Sequence, residues 1–253
     1  MIARAYIQRD GPGRFGPEER DLLRGFESLG ITTELFTRKQ VERRRLALDK
    51  STFVAGDLPS VLGALAQLRI EAPRPNDYPA CLESLLFRRV WPSTVRQLKE
   101  AIYHERGPLI FAKPSARKKR FNGRLFAHPE DLYHLEGASG STAILCSEPV
   151  RWASEFRVFV IRGRVVGIRH YAGDPAMNLD EGVMSEAVHR LERSGEATAG
   201  YGLDLGVLED GRTALVEWND GYALGSYGLD PGLYTELVIA RWCELLNQAK
   251  PGE

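Results

Sequence analysis

Two turn dipeptides constrain the fold more than any other feature of the chain. Arg162-Gly163 separates the alternating positions Phe156, Val158, Val160 from Val165, Gly167, Arg169, and Asp210-Gly211 sits inside the turn 209–212 between apolar runs at 203–208 and 214–218. Period-two patterns interrupted by a Gly-bearing turn predict antiparallel hairpins. The start of the chain reads differently. Strand-like segments at 2–7, 31–36 and 52–55 alternate with helix-like segments at 18–29 and 58–68, which predicts a small α/β unit with a largely parallel sheet.

Between these regions the stretch 71–79 is rich in proline and turn formers, and predicts a linker or domain edge. A helix is expected over 93–105 and an apolar strand over 108–112, ending at Lys113-Pro114 and followed by a basic loop. A short strand near Leu125, a helix from Pro129 and a strand over 142–146 complete the middle of the chain. Helical spacing returns at 179–191 and again in a closing helix at 233–248.

Composition narrows the function classes. The chain of 253 residues has 34 basic and 34 acidic side chains, so no whole-molecule field recruits nucleic acid or an anionic membrane. Cys81, Cys146 and Cys243 form no paired motif, which argues against a disulfide framework and for a reduced, cytoplasmic setting. No apolar run approaches the roughly 20 residues that span a bilayer, and no signal peptide is read at the start. The five histidines form no zinc-binding pattern.

Three constellations carry chemistry. The second hairpin brings Asp204 close to Glu217, and Glu217 and Asn219, two apart, share a strand face. Two carboxylates and an amide oxygen make a hard oxygen site suited to Mg²⁺, although the spacing alone equally fits ordinary solvent-facing polar residues. Lys113 ends an apolar strand before a loop with Ser115 and Gly123, where an ammonium and loop amides would hold phosphate oxygens; a lysine snorkelling at a strand end is the bland alternative. The run Arg117 to Arg120 reads as a solvated loop, with a nucleic-acid patch around Phe121 disfavoured. Glu148-Pro149-Val150-Arg151 is a proline-bearing link between strands whose unpaired backbone groups suit a planar base, and Glu155 follows at the next strand.

In this order the three constellations resemble the ATP-grasp superfamily, in its D-alanine ligase and RimK-like branches, over roughly residues 88–248. The resemblance implies an ATP-grasp fold preceded by an α/β domain: a domain 1–85, then 86–253 as two lobes with a hinge near 147–151. It implies ATP on Lys113, Glu148 to Arg151 and Glu155, with Mg²⁺ (or Mn²⁺) on Asp204, Glu217 and Asn219. Two departures stand out. An upstream lysine of the superfamily is replaced by Arg88 or Arg89, and the basic position two residues before the metal aspartate is Gly202. Charge compensation for a transferred phosphoryl is therefore expected from Arg169, with Arg157 second. Gly225 and Ser226, in the Gly-rich loop after the metal strand, are expected near an acyl-phosphate, and a plain turn fits them as well.

The implied reaction is ADP-forming ligation of a carboxylate to an amine, with small-molecule or peptide substrates. A phosphotransferase or a silent nucleotide-binding module are the alternatives. Gly11 to Gly16 is formally GxGxxG with Glu34 downstream, but Pro12 removes a backbone donor and Pro17 delays the helix, so dinucleotide binding is not expected there. The loop is expected instead to border a substrate cleft.

Overall fold

The computed structural model describes residues 1–11, 13–103, 109–115 and 121–248. The Arg117 to Arg120 run, Pro12 and the ends of two expected elements, at 104–105 and 108, lie outside the described residues. The chain packs as two compact units, Met1–Glu83 with Ala153–Glu253, and Ser84–Trp152.

In the first unit, β1 (Arg4–Gln8), β2 (Thr32–Phe36) and β3 (Thr52–Ala55) form a parallel sheet in the order β2-β1-β3. The central strand is buried along Ala5, Tyr6 and Ile7, as the near-continuous apolar run of a covered parallel strand requires. Helix α1 (Pro17–Ser28) links β1 to β2, and α3 (Leu58–Gln67) follows β3, its first turn capped by Asp57, whose carboxylate accepts from the Ser60 N–H at 2.9 Å. A five-residue helix, α2 (Arg38–Glu42), is unexpected; one turn is too short to show a period.

The same unit holds an antiparallel hairpin of β8 (Trp152–Ile161) and β9 (Arg164–Gly173), helix α5 (Glu181–Ser194), and a second hairpin of β10 (Gly200–Leu208) and β11 (Thr213–Asp220). The four strands make one sheet in the order β11-β10-β8-β9. Both expected turns are present, and Arg162, Gly163 and Gly211 adopt the positive φ that tight turns demand. The closing helix α6 (Pro231–Asn247) starts at the Asp230 cap and packs on α1. Gly25 makes this approach close enough that a Cβ there would lie 1.9 Å from Thr235 Oγ1. Trp242 of α6 donates its indole N–H to Thr52 O at 2.7 Å, tying the helix to β3 inside a core shared with Phe26 and Phe53. The Pro-rich stretch is also anchored, since the Trp218 N–H donates to Asp77 O at 2.8 Å.

The second unit is an antiparallel sheet in the order β4-β7-β5-β6, built from β4 (Val90–Thr94), β5 (Ile110–Pro114), β6 (Arg124–Phe126) and β7 (Ala143–Ser147). Helix α4 (Val95–Tyr103) and the 3-10 segment Pro129–Leu135, read from sequence as a helix, pack on one face through Leu98, Ile102, Leu132 and Leu135 against Ile110, Ala112, Ile144 and Cys146. Strand β4 is hidden in the sequence because Pro92 interrupts its run, which an edge strand tolerates.

Candidate active site

The hairpin register places Asp204 directly opposite Glu217 and Gly202 opposite Asn219. Side chains two apart on a strand share a face, so Glu217 and Asn219 project together beside Asp204. Asn219 Nδ2 donates to Asp204 Oδ2 at 3.2 Å. From β8, Arg157 reaches the same carboxylate with Nε at 2.7 Å and Nη2 at 2.6 Å. Both partners are buried, Arg157 at 6% and Asp204 at 3% exposure, so this is an interior ion pair and not a surface one. Burial pushes the Asp204 carboxyl up against the pull of Arg157. Burial also works against the Arg157 guanidinium, yet Asp204 holds it above its ordinary value.

Glu155 completes the polar cluster. Burial raises its carboxyl, and the charges of Asp204 and Glu217 raise it further. Tyr171 of β9 donates its hydroxyl to Glu155 Oε2 at 3.1 Å, and burial together with Asp204 and Glu155 pushes this phenol far up. The Tyr227 ring lies 4.4 Å beneath the Arg157 guanidinium and 5.2 Å from the Tyr171 ring. Tyr227 has φ +44°, an uncommon backbone state for a residue with a Cβ.

Three carboxylates around one guanidinium accumulate negative charge that a divalent cation would relieve. A carboxylate has about four acceptor positions; at Asp204 Arg157 takes two and Asn219 one, which leaves about one. The donor set therefore fits a hard cation such as Mg²⁺ through Asp204, Glu217 and the Asn219 amide oxygen. Among the described residues no group of three His, Cys, Asp or Glu side chains is arranged to hold a metal.

Arg169 sits directly opposite Arg157 on β9, but its Nε donates to Gly228 O at 2.9 Å and its Nη1 to Ile168 O at 2.9 Å. Of the two arginines, Arg157, placed second from the sequence, is the one on the Asp204 carboxylate. Gly202 explains the arrangement, because a Cβ there would lie 2.8 Å from Leu224 Cδ1 and 3.4 Å from Arg157 Cδ, so the guanidinium stem runs through the space a larger residue would need. Ser226 is buried with its hydroxyl on Asp21 at 2.8 Å, which anchors the Gly225-Ser226 loop to α1. Sequence reasoning does not single out Tyr171 or Tyr227, and Tyr171 sits at a register shift between β8 and β9 that alternation does not reveal.

The second unit holds the remaining expected residues. Lys113 pairs with Leu145 across the sheet, so both point away from the face that α4 covers, together with Phe111. The link 148–151 follows β7 directly. Glu148 accepts from the Arg89 N–H at 2.9 Å while its own N–H donates to Arg89 O at 3.0 Å, fixing the start of the link to the start of β4. Pro149, Val150 and Arg151 then run into β8. The Arg89 guanidinium lies 4.7 Å from the Trp91 ring centroid, and that of Arg88 lies 5.4 Å from the Trp152 ring. Glu34, downstream of the Gly11 to Gly16 loop, pairs with Arg4 at 3.3 Å on exposed β2.

A family model for an ATP-grasp domain, the second family of its clade, matches residues 85–237. The chain belongs to this ATP-grasp family. The solved structures it resembles agree on the fold. An ATP-grasp ligase, PsnB, complexed with a minimal precursor shares 14% identity at TM-score 0.56, over 95% of this chain and 100% of that one. A RimK domain ATP-grasp protein from Sphaerobacter thermophilus shares 21% at TM-score 0.53, over 94% and 100%. A D-alanine–D-alanine ligase from Bacillus anthracis shares 9% at TM-score 0.58, over 97% and 99%. PsnB has also been solved with AMPPNP and with Mg and ADP. No curated protein matches the sequence. The ATP-grasp fold thus accounts for almost the whole chain, and among the described residues no helix is long and apolar enough to cross a membrane.

Proposed function

We propose that this ATP-grasp protein is an ADP-forming carboxylate-amine ligase, with a pre-ATP-grasp domain over 1–85 and the catalytic domain over 86–253. The observation that carries the reading is the convergence of Asp204, Glu217 and Asn219 on one sheet face with Arg157 and Glu155 beside them. Such a face collects hard oxygen donors next to a fixed cation, as a phosphoryl-transfer centre needs. Bound Mg²⁺, or Mn²⁺ in its place, would neutralise the nucleotide phosphates. Lys113 is assigned to those phosphates, with Arg89 in the role of the absent upstream lysine. Glu148 to Arg151 are assigned to the adenine, and Glu155 to the ribose hydroxyls, with Tyr171 orienting its carboxylate.

In the reaction, an oxygen of the substrate carboxylate forms a bond to the γ-phosphorus and ADP leaves. The amine nitrogen then bonds to the acyl carbon, the carbon–oxygen bond to phosphate breaks, and the amine proton is lost. Arg157, held by Asp204 and stacked on Tyr227, and its cross-strand neighbour Arg169 are assigned to offset the charge on the transferred group. Gly225 and Ser226 border the acyl end. A peptide as substrate finds support in PsnB, which was solved with its precursor peptide.

The test is coupled ADP detection across pools of amino acids, amines and peptides, with mass spectrometry of the products. The reading expects carboxylate-dependent ADP release that rises with the right amine, and a product lighter by one water than acid plus amine. AMP and pyrophosphate as products would overturn it, and so would a stable phosphorylated product formed equally well without amine.

A further inference from the structure

The first unit holds a partly open cavity of about 310 Å³, and of its lining residues only Gly225 has a role in the proposed reaction. It lies where β3 ends and where α1 and α3 begin, and the segment that follows β11, residues 222–225, forms one of its walls. Its volume is at the lower end of ligand-sized pockets, about 300–1,000 Å³, and suits one amino-acid-sized molecule.

The lining has two chemistries. Phe53, Tyr234 and Trp242 give it an aromatic wall, and Glu18, Glu19 and Asp57 give it carboxylates, with no lysine or arginine among the lining residues. Asp57 is already paired with Arg38 and caps α3. Glu18 and Glu19 have no ion-pair partner among the described residues, although both are half-buried. Burial, and then the neighbouring Glu18, raise the Glu19 carboxyl, even though Gly16 and Glu19 N–H groups of the α1 terminus pull it down. The two helix N-termini would attract an anion, but acids of the chain already occupy them, Asp57 at α3 and Glu19 at α1. A cation is the complementary guest.

The cavity also connects to the phosphoryl-transfer cluster through packed side chains. A Cβ on Gly225 would sit 3.3 Å from Glu18 Oε1 and 3.1 Å from the Tyr227 ring. Tyr227 in turn stacks on Arg157, which holds Asp204. The wall that separates Glu18 from that cluster is thus one glycine and one tyrosine thick. Tyr234 donates to Leu224 O at 2.7 Å and Ser226 to Asp21 at 2.8 Å, which fixes this wall to α6 and α1.

We propose that this cavity is the subsite for the amine substrate, a primary amine with an apolar stem, its ammonium against Glu18 and Glu19 and its stem on Phe53, Tyr234 and Trp242. Its role as acceptor rests on the ligase reading; binding of the amine does not. The chemistry favours a hydrophobic amine over an anionic one, because a carboxylate beside Glu18 and Glu19 would face two like charges.

The test measures binding by ligand-observed NMR and calorimetry on the full chain without nucleotide, using 2-phenylethylamine, 2-phenylethanol and 3-phenylpropanoate. The amine should bind at least tenfold more tightly than the alcohol or the acid. Glu18→Gln should weaken the amine about tenfold, and Leu58→Trp, at the half-buried rim, should block it while leaving the thermal midpoint in place. Equal binding of acid and amine would overturn the proposal, as would amine affinity unchanged in both variants or no amine binding at all. ATP titration in parallel separates the two readings. Amine binding without ATP binding leaves the cavity assignment standing and removes the ligase, whereas carboxylate-dependent ADP release without amine binding does the reverse.

Discussion

Arg157 clasps Asp204 with two charge-assisted hydrogen bonds, at 2.7 and 2.6 Å, in a site from which water is nearly excluded. Removing one partner leaves the other charge buried alone, which typically costs about 3–5 kcal/mol. Arg157→Ala should lose stability on that scale in urea denaturation, whereas Arg157→Met combined with Asp204→Leu should recover most of it and remain inactive. Stability of Arg157→Ala within about 0.5 kcal/mol of the parent would show that the pair is solvated.

Asp57 predicts a pH dependence. Burial works against its ionised form, but hydrogen bonds from Gln8, Arg38 and Ser60 win, and its pKa is lowered in the folded protein. A depressed carboxylate adds stability that is fully present above its unfolded value of about 3.9 and is lost as pH falls through the folded value. Asp57→Ala should therefore cost about 1 kcal/mol at pH 7, the usual worth of an N-cap, and the gap to the parent should close in strongly acidic buffer. Urea titrations at several pH values would show it. A gap that stays constant with pH would assign the loss to packing.

The contact of α1 with α6 predicts a steric limit. A methyl at Gly25 would lie 1.9 Å from Thr235 Oγ1 and 2.7 Å from Pro231 O. The second of these is backbone and cannot rotate away. Gly25→Ala should destabilise by about 1–3 kcal/mol, as overpacked positions do, and Thr235→Ala should rescue only part of the loss. Full rescue, read from thermal midpoints, would mean that the helices separate easily.

Much of this architecture was legible because its signals are local. The hairpin at Asp210-Gly211 brings Asp204 near Glu217, but their direct pairing rests on a register shift between Asp204 and Leu205 that turn position alone does not give. The short helix α2 and strand β4, with Pro92 in it, carried too few residues for a period to show. Other features are long-range and have no sequence signature. The packing of α6 on α1 depends on residues more than 200 apart, such as Thr235 and Gly25. The preference of Asp204 for Arg157 over Arg169 depends on strand order, β10 beside β8 with β9 at the edge. The register shift between Glu155 and Phe156, which precedes the Tyr171 contact, could not be read from alternation either.

Calorimetric titration of AMPPNP with and without Mg²⁺ tests most directly whether Asp204, Glu217 and Asn219 carry a metal-bound nucleotide. The wild-type chain should bind AMPPNP only when Mg²⁺ is present, and Glu217→Gln should weaken that binding at least tenfold, about 1.4 kcal/mol, with its thermal midpoint unchanged. Wild-type protein that is folded and fails to bind would contradict the account, and so would a Glu217→Gln variant that binds Mg²⁺ and AMPPNP as tightly as its parent.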